Sequence, residues 1–214
     1  MKSPRLALTV VLLSASTLLA TPINLNKPVT LNGAFPAYVG PYGNLCGVGV
    51  QPQGTAASLD DGVFLPEGTC YQSGPVYWQN PVGTAGVVNS IDIDLQGTFT
   101  LNGAIVQADD NDIYTLQYRD TGGVYHDWWN IGTLGAFGMI TRPGSPNQTT
   151  IQSLPAVQAT GLRFFAPLGS GDGEYAVSEI EVFLVPEPAT AWMVLSGLAL
   201  VLIGGSRRQS PAGD

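Results

Sequence analysis

The stretch Ala176-Val177-Ser178-Glu179-Ile180-Glu181-Val182-Phe183-Leu184 reads with a period of two. Ala176, Ser178, Ile180, Val182 and Leu184 fall on one face, and Glu179 and Glu181 on the other, as in a strand with one buried and one wet side. The same alternation recurs in Ile91-Asp92-Ile93-Asp94-Leu95 and in Tyr114-Thr115-Leu116-Gln117-Tyr118-Arg119, where Tyr114, Leu116 and Tyr118 share a face. Thr98–Gln107, Thr160–Ala166 and Val29–Leu31 are further strand candidates. Turn signals punctuate them at Asn32-Gly33, Asn102-Gly103, Gly122-Gly123, Pro143-Gly144 and Gly171-Asp172-Gly173. No helical stripe and no internal repeat lies between them. Many short strands separated by Gly/Pro turns predict an all-β, antiparallel sandwich or barrel.

The composition agrees. Of 214 residues, 27 are Gly and 16 are Pro, and charged residues make up only 11%. That excludes a helical bundle or coiled coil, and an apolar share of 44% excludes a disordered chain. A net charge of −8 argues against holding nucleic acid by phosphate neutralisation. With 2 Cys and 1 His there is little material for a zinc site.

Both ends read as targeting segments. Residues 1–20 place Lys2 and Arg5 before the apolar run Leu6–Leu13, then small residues, which is the layout of a secretory signal peptide cut near Ala20. Ala189–Gly205 is a second, uncharged apolar run, long enough as a helix to span about 26 Å. Arg207 and Arg208 follow it, as positive-inside predicts for a cytoplasmic C-terminus. Ahead of it, Val185-Pro186-Glu187-Pro188 can enter neither a helix nor a central strand and forms an extended spacer. Pro186-Glu187-Pro188, the apolar helix 189–205 and the arginines together resemble the PEP-CTERM sorting signal of Gram-negative bacteria, over residues 185–209 with a short tail at 210–214. The resemblance implies export through the inner membrane and transient anchoring. An exosortase would then process the chain, with release to the cell surface or extracellular matrix.

Between these ends lies the body, residues 21–184. Its basic residues are Lys27, Arg119, Arg142 and Arg163 against fourteen acids, a net charge of −10. Cys46 and Cys70 lie in the exported region, where disulfides persist. A bridge between them would close a loop worth roughly 3 kcal/mol in the chain-entropy model.

Three constellations could carry chemistry. Asp109-Asp110-Asn111-Asp112 packs three carboxylates that repel unless a cation, an arginine or water compensates. It is either a cation or sugar-binding loop, or an Asx-rich turn. Tyr125-His126-Asp127-Trp128-Trp129 sets three aromatics beside the only histidine. Aromatic faces with planar polar groups, here Arg119 and Arg142, are what sugar sites use. Period two turns Trp128 and Trp129 to opposite faces, so at most one is core. Catalysis is poorly supported: His126 and Asp127 are adjacent rather than arranged as a triad, and no Gly-x-Ser-x-Gly elbow occurs. Asp92 and Asp94 are the carboxylate pair a glycosidase scheme would draw on.

Asn24-Leu25, Lys27-Pro28-Val29, Asp61-Gly62, Tyr77-Trp78 and Glu179-Ile180-Glu181-Val182 stand in an order that resembles discoidin-like, or galactose-binding-like, domains over residues 23–184. Asp61-Gly-Val-Phe-Leu-Pro-Glu-Gly-Thr69, Gln107-Ala-Asp-Asp-Asn-Asp112 and Thr141-Arg-Pro143 also resemble a group of PEP-CTERM proteins. The discoidin-like resemblance implies a jelly-roll-like β-sandwich. It also implies a structural Ca²⁺ that ties the N-terminal loop to the last strand, with Asp61 and Glu179 at the matching positions. The function implied is a non-catalytic module for an extracellular polysaccharide. The alternatives are a matrix-assembly protein without a small ligand and a polysaccharide hydrolase.

Overall fold

The computed structural model describes residues 21–35, 53–79, 89–144 and 147–185. The signal peptide 1–20, Cys46, Pro186, Glu187, Pro188, the run 189–205, Arg207 and Arg208 lie outside them. Among the described residues no helix is long and apolar enough to cross a membrane.

Among the described residues eight antiparallel strands run β1 (Val29–Asn32), β2 (Val76–Gln79), β3 (Ser90–Asp109), β4 (Tyr114–Arg119), β5 (Tyr125–Ile131), β6 (Met139–Arg142), β7 (Gln152–Phe165) and β8 (Glu174–Leu184). A short 3₁₀ turn, Ala56–Ser58, is the one helical element described. The hydrogen-bonded order is β2-β8-β3-β7-β4-β5, with β1 and β6 also paired to β3. The architecture is an all-β antiparallel sandwich. Its front layer is β1, the first half of β3, the second half of β7, β4 and β5. Its back layer is β2, β8, the second half of β3 and β6.

One strand serves both layers because β3 is a single element where two strands and a turn are expected. The register with β7 breaks between Asp94 and Phe99, where Gln96 takes φ 58°, so the chain bends without ending. The expected turn at Asn102-Gly103 is a second irregularity within the strand. Gly103 is needed there for close approach: a Cβ would lie 2.5 Å from Ile151 Cγ2 and 3.0 Å from the Gln152 carbonyl oxygen. Opposite it, residues 154–156 of β7 are left without ladder partners, which is where Pro155 is tolerated.

The layers close over one core. Trp78, fully buried, meets Phe164 edge-on at 6.5 Å and stacks on Tyr175 at 5.6 Å, while Tyr114 stacks on Phe164 at 5.1 Å. Ile91, Ile93, Leu116, Leu162, Val177, Ile180 and Val182 complete it. Each such side chain contributes roughly 1.5–3 kcal/mol by leaving water.

Two readings of β8 need correction. First, its faces do not keep one parity. A bulge between Gln107 and Ala108 makes Ser178 the extra residue, so Ile180, Val182, Val177 and Tyr175 enter the core while Ser178 turns outward to the Gln107 side chain. Second, its polar face is not wet: Glu179 is fully buried and Glu181 is 7% exposed. The strand is central, and the loop after Ala56–Ser58 folds over its outer side. Gln107 donates to the Leu65 carbonyl at 2.9 Å and accepts from the Leu65 amide at 2.8 Å, pinning that loop down. Cys70, in the same loop, is buried and disulfide-bonded.

Candidate functional site

The outer face of the front layer is open, and its rows follow from register. Thr30, Asp92, Arg163, Gln117 and Asp127 lie side by side across five strands. The next row is Asn32, Ser90, Phe165, Thr115 and Asn130. On the other side come Asp94, Gly161, Arg119 and Tyr125. Their neighbours in sequence, Ile91, Ile93, Leu162, Phe164 and Leu116, point into the core, so alternation alone delivers these residues to the surface.

The face is a lattice of planar polar groups. Arg163 donates through Nε and Nη2 to the two carboxylate oxygens of Asp92, both at 2.7 Å. Such bidentate geometry is the strongest form of this pair. It holds the guanidinium above its ordinary pKa, chiefly through the hydrogen bond to Asp92. The same guanidinium lies 3.9 Å from the Tyr125 ring centroid, and the Tyr125 hydroxyl donates to Asp92 at 3.4 Å. Burial, then the Asp92 charge, raises that phenol. Gln117 donates to Asp127 at 2.8 Å. Arg119 donates to Asp94 at 2.9 Å and to the Thr160 hydroxyl and carbonyl at 3.1 Å. It lies flat across Gly161, where a Cβ would stand 3.0 Å from its guanidinium. A pocket of about 220 Å³ opens in this face, lined by Ser90, Gln117, Arg163 and Phe165.

Of the residues the sequence points to, Arg119 belongs to this face. His126 does not. It stacks on Tyr118 at 5.2 Å and meets Asp120 at 2.8 Å, which lowers the Asp120 carboxyl. Trp128 and Trp129 do not face opposite ways. A bulge pairs Trp129 with Leu116 and Asp127 with Gln117, leaving Trp128 as the extra residue. Trp128 joins the core and donates its indole N–H to the Pro155 carbonyl at 2.9 Å, while Trp129 packs half-buried against the core.

Asp109, Asp110, Asp112 and Arg142 are brought together, but inside the protein, each at most 3% exposed. Arg142 caps backbone carbonyls, donating to Ala108 at 2.6 Å, Ile140 at 3.0 Å and Asp109 at 2.7 Å. Burial, then neighbouring carboxylates, pushes Asp109 up to about 7 and Asp112 up to about 8. One oxygen each of Asp110 and Asp112 is buried without a partner.

Beneath the loop over β8, Glu179 accepts from the Gly62 amide at 3.4 Å through one oxygen, and its other oxygen, Oε2, is buried without a partner. Burial, then the charges of Glu181, Asp61 and Asp60, pushes it up to about 9. Asp60, raised to about 6 chiefly by burial, accepts from the Lys27 amide at 2.7 Å. Asn24 bridges the Ile180 carbonyl at 2.6 Å and the Val182 amide at 2.8 Å. The N-terminal loop is thereby tied to the last strand. Asp61 is exposed and caps its own turn through the Val63 amide at 2.9 Å. The orphaned Glu179 oxygen beside acidic neighbours suits a hard cation such as Ca²⁺. Among the described residues no three His, Cys, Asp or Glu side chains are grouped to hold a metal, so backbone carbonyls or water would have to complete such a shell.

No family model and no curated protein matches the sequence. Among solved structures, the chain is similar to a fucose-binding module of Streptococcus pneumoniae at 13% identity and a TM-score of 0.48, over 78% of this chain and 99% of that one. It is similar to a Clostridium perfringens module solved with GalNAc-β-1,3-galactose at 18% identity and 0.45, over 77% and 99%. It is also similar to a chitosan-binding module of a Paenibacillus chitosanase/glucanase at 18% identity and 0.45, over 76% and 98%. It spans 28% of the length of a further match, SpGH29, covering 78% of this chain at 14% identity and 0.44.

Proposed function

We propose that this is an exported, non-catalytic carbohydrate-binding protein of the bacterial surface or matrix, and that it holds polysaccharide on the open face of the front layer. The observation that carries the reading is the pocket of about 220 Å³ lined by Ser90, Gln117, Arg163 and Phe165. It combines one aromatic ring for the apolar side of a sugar with a hydroxyl, an amide and a guanidinium for its hydroxyl groups. It is smaller than the roughly 300–1,000 Å³ of an enclosed small-molecule site, so it takes one ring while the rest of a chain lies along the sheet. Asp92 and Asp94, the carboxylates a hydrolase would use, are each engaged by an arginine, which favours binding over hydrolysis.

Two further parts belong to the proposal. Ca²⁺ is held structurally by Glu179 and Asp61 with nearby carbonyls, supported by the unpartnered Oε2. An exosortase processes the chain near Pro186-Glu187-Pro188, supported by the order of that motif, the apolar run and Arg207-Arg208. Calorimetric titration of the protein against a panel of soluble glycans tests the binding reading. Binding in the micromolar-to-millimolar range, lost in Phe165→Ala while the fold is kept, is expected. Self-association without any glycan binding would favour matrix assembly instead.

A further inference from the structure

We propose that Asp92 and Asp94 set the specificity of the open face: by occupying its two guanidinium groups they make it a site for uncharged polysaccharide and close it to acidic polysaccharide. The inference rests on the binding reading above and adds a rule of selection to it.

Arginine on a sugar-binding face ordinarily invites carboxylate or sulfate, because its fork matches their geometry in two hydrogen bonds. Here that fork is taken. The Nε and Nη2 donors of Arg163 both end on Asp92 at 2.7 Å and Tyr125 covers the guanidinium at 3.9 Å, so only Nη1 is left, which can donate singly to a hydroxyl but cannot grip a carboxylate in two bonds. Arg119 divides its donors between Asp94 and Thr160. Asp127, in the row of Arg163, is exposed, and its only described partner is the neutral amide of Gln117. The face therefore carries three carboxylates against two guanidiniums and is net negative before the rest of an acidic protein is counted. An acidic chain laid on it finds both guanidiniums of the face already ion-paired and is repelled by the excess carboxylate, whereas hydroxyl groups find donors and acceptors side by side. Like-charge juxtaposition of this kind is a recognised means of rejecting wrong partners.

The test uses the whole protein against immobilised neutral glucans, galactans and mannans, and in parallel polygalacturonate, alginate and dextran sulfate, at low and moderate salt. The expected result is binding to at least one neutral glycan, with every acidic one weaker by at least about tenfold at low salt. Asp92→Asn with Asp94→Asn should gain acidic-glycan binding that fades as salt rises, since the two guanidiniums are then uncompensated. An acidic glycan held by the unaltered protein as tightly as the best neutral one overturns the selection rule but leaves the binding reading standing. Absence of binding to every glycan, neutral and acidic, overturns the binding reading and the selection rule with it. The arms on the unaltered protein decide the matter even where the double variant fails to fold.

Discussion

The outer faces of the two layers begin from the same kind of sequence and end in opposite states. Ile91-Asp92-Ile93-Asp94-Leu95 and Ser178-Glu179-Ile180-Glu181-Val182 both alternate acidic and apolar residues. In front, Asp92 and Asp94 meet arginines at a partly wet surface. Behind, Glu179 and Glu181 are buried, Glu179 beneath the loop that Gln107 pins, and no arginine pairs with them among the described ion pairs. Alternation decides which residues leave the core. Whether water remains beyond them depends on what the loops do. An open acidic face can afford to recognise hydroxyl groups, whereas a covered one must hold protons or a cation.

The comparison breaks most severely at Gln107. Gln107→Ala removes one side chain that joins Leu65, Thr141 and Ser178, leaving buried polar groups unpaired. A loss of about 3 kcal/mol, or roughly 9 °C in thermal midpoint, is expected by denaturant and heat unfolding. A loss under about 1 kcal/mol would show that the loop is not what covers the face.

Acidity sharpens the contrast next. Glu179 keeps its proton up to about pH 9 in the folded state, against an ordinary value of 4.5. The folded state thus binds more protons than the unfolded one in that range, so stability in chelator should fall as pH rises from about 5 to 9. Glu181 and Asp109, each raised to about 7, and Asp112, raised to about 8, act in the same direction. Glu179→Gln should flatten the fall and raise the alkaline midpoint by roughly 5 °C. Added Ca²⁺, which favours the ionised carboxylate, should offset the fall in the unaltered protein and do nothing for the variant. Thermal melts across pH with and without Ca²⁺ read all of this.

The front face responds in function rather than stability. Phe165→Ala should weaken glycan binding at least about tenfold, with a modest loss of stability, because an aromatic platform carries much of a sugar contact. The smallest effect is expected at Asp94→Asn. Its partner Arg119 keeps Thr160, and a partly exposed ion pair contributes under about 1 kcal/mol. A larger unfolding shift would mean that the open face is a structural element like the covered one.

Much of the fold was legible because strand periodicity is local. The alternations at 91–95, 114–119 and 176–184 all lie in strands, and their outward positions already contain Asp92, Asp94, Gln117 and Arg119. What was not legible is adjacency. That β7 runs between β3 and β4, so that Arg163 meets Asp92 and Phe165 meets Ser90, depends on long-range pairing that no local pattern encodes. Bulges hid the rest. One residue inserted opposite Gln117 draws Trp128 into the core, and Ser178, the extra residue opposite Gln107, reverses the parity of β8. The cluster Asp109–Asp112 was visible as charge but not as a buried one, since burial comes from elements far away in sequence.

The central claim is that the open front face, not the acidic loop end, meets the polysaccharide. Amide chemical-shift mapping during titration with whichever neutral glycan binds tests it most directly. The account predicts that the largest shifts fall on Ser90, Gln117, Tyr125, Arg163 and Phe165. Shifts centred on Asp109, Asp110 and Asp112, with the front face silent, would contradict it.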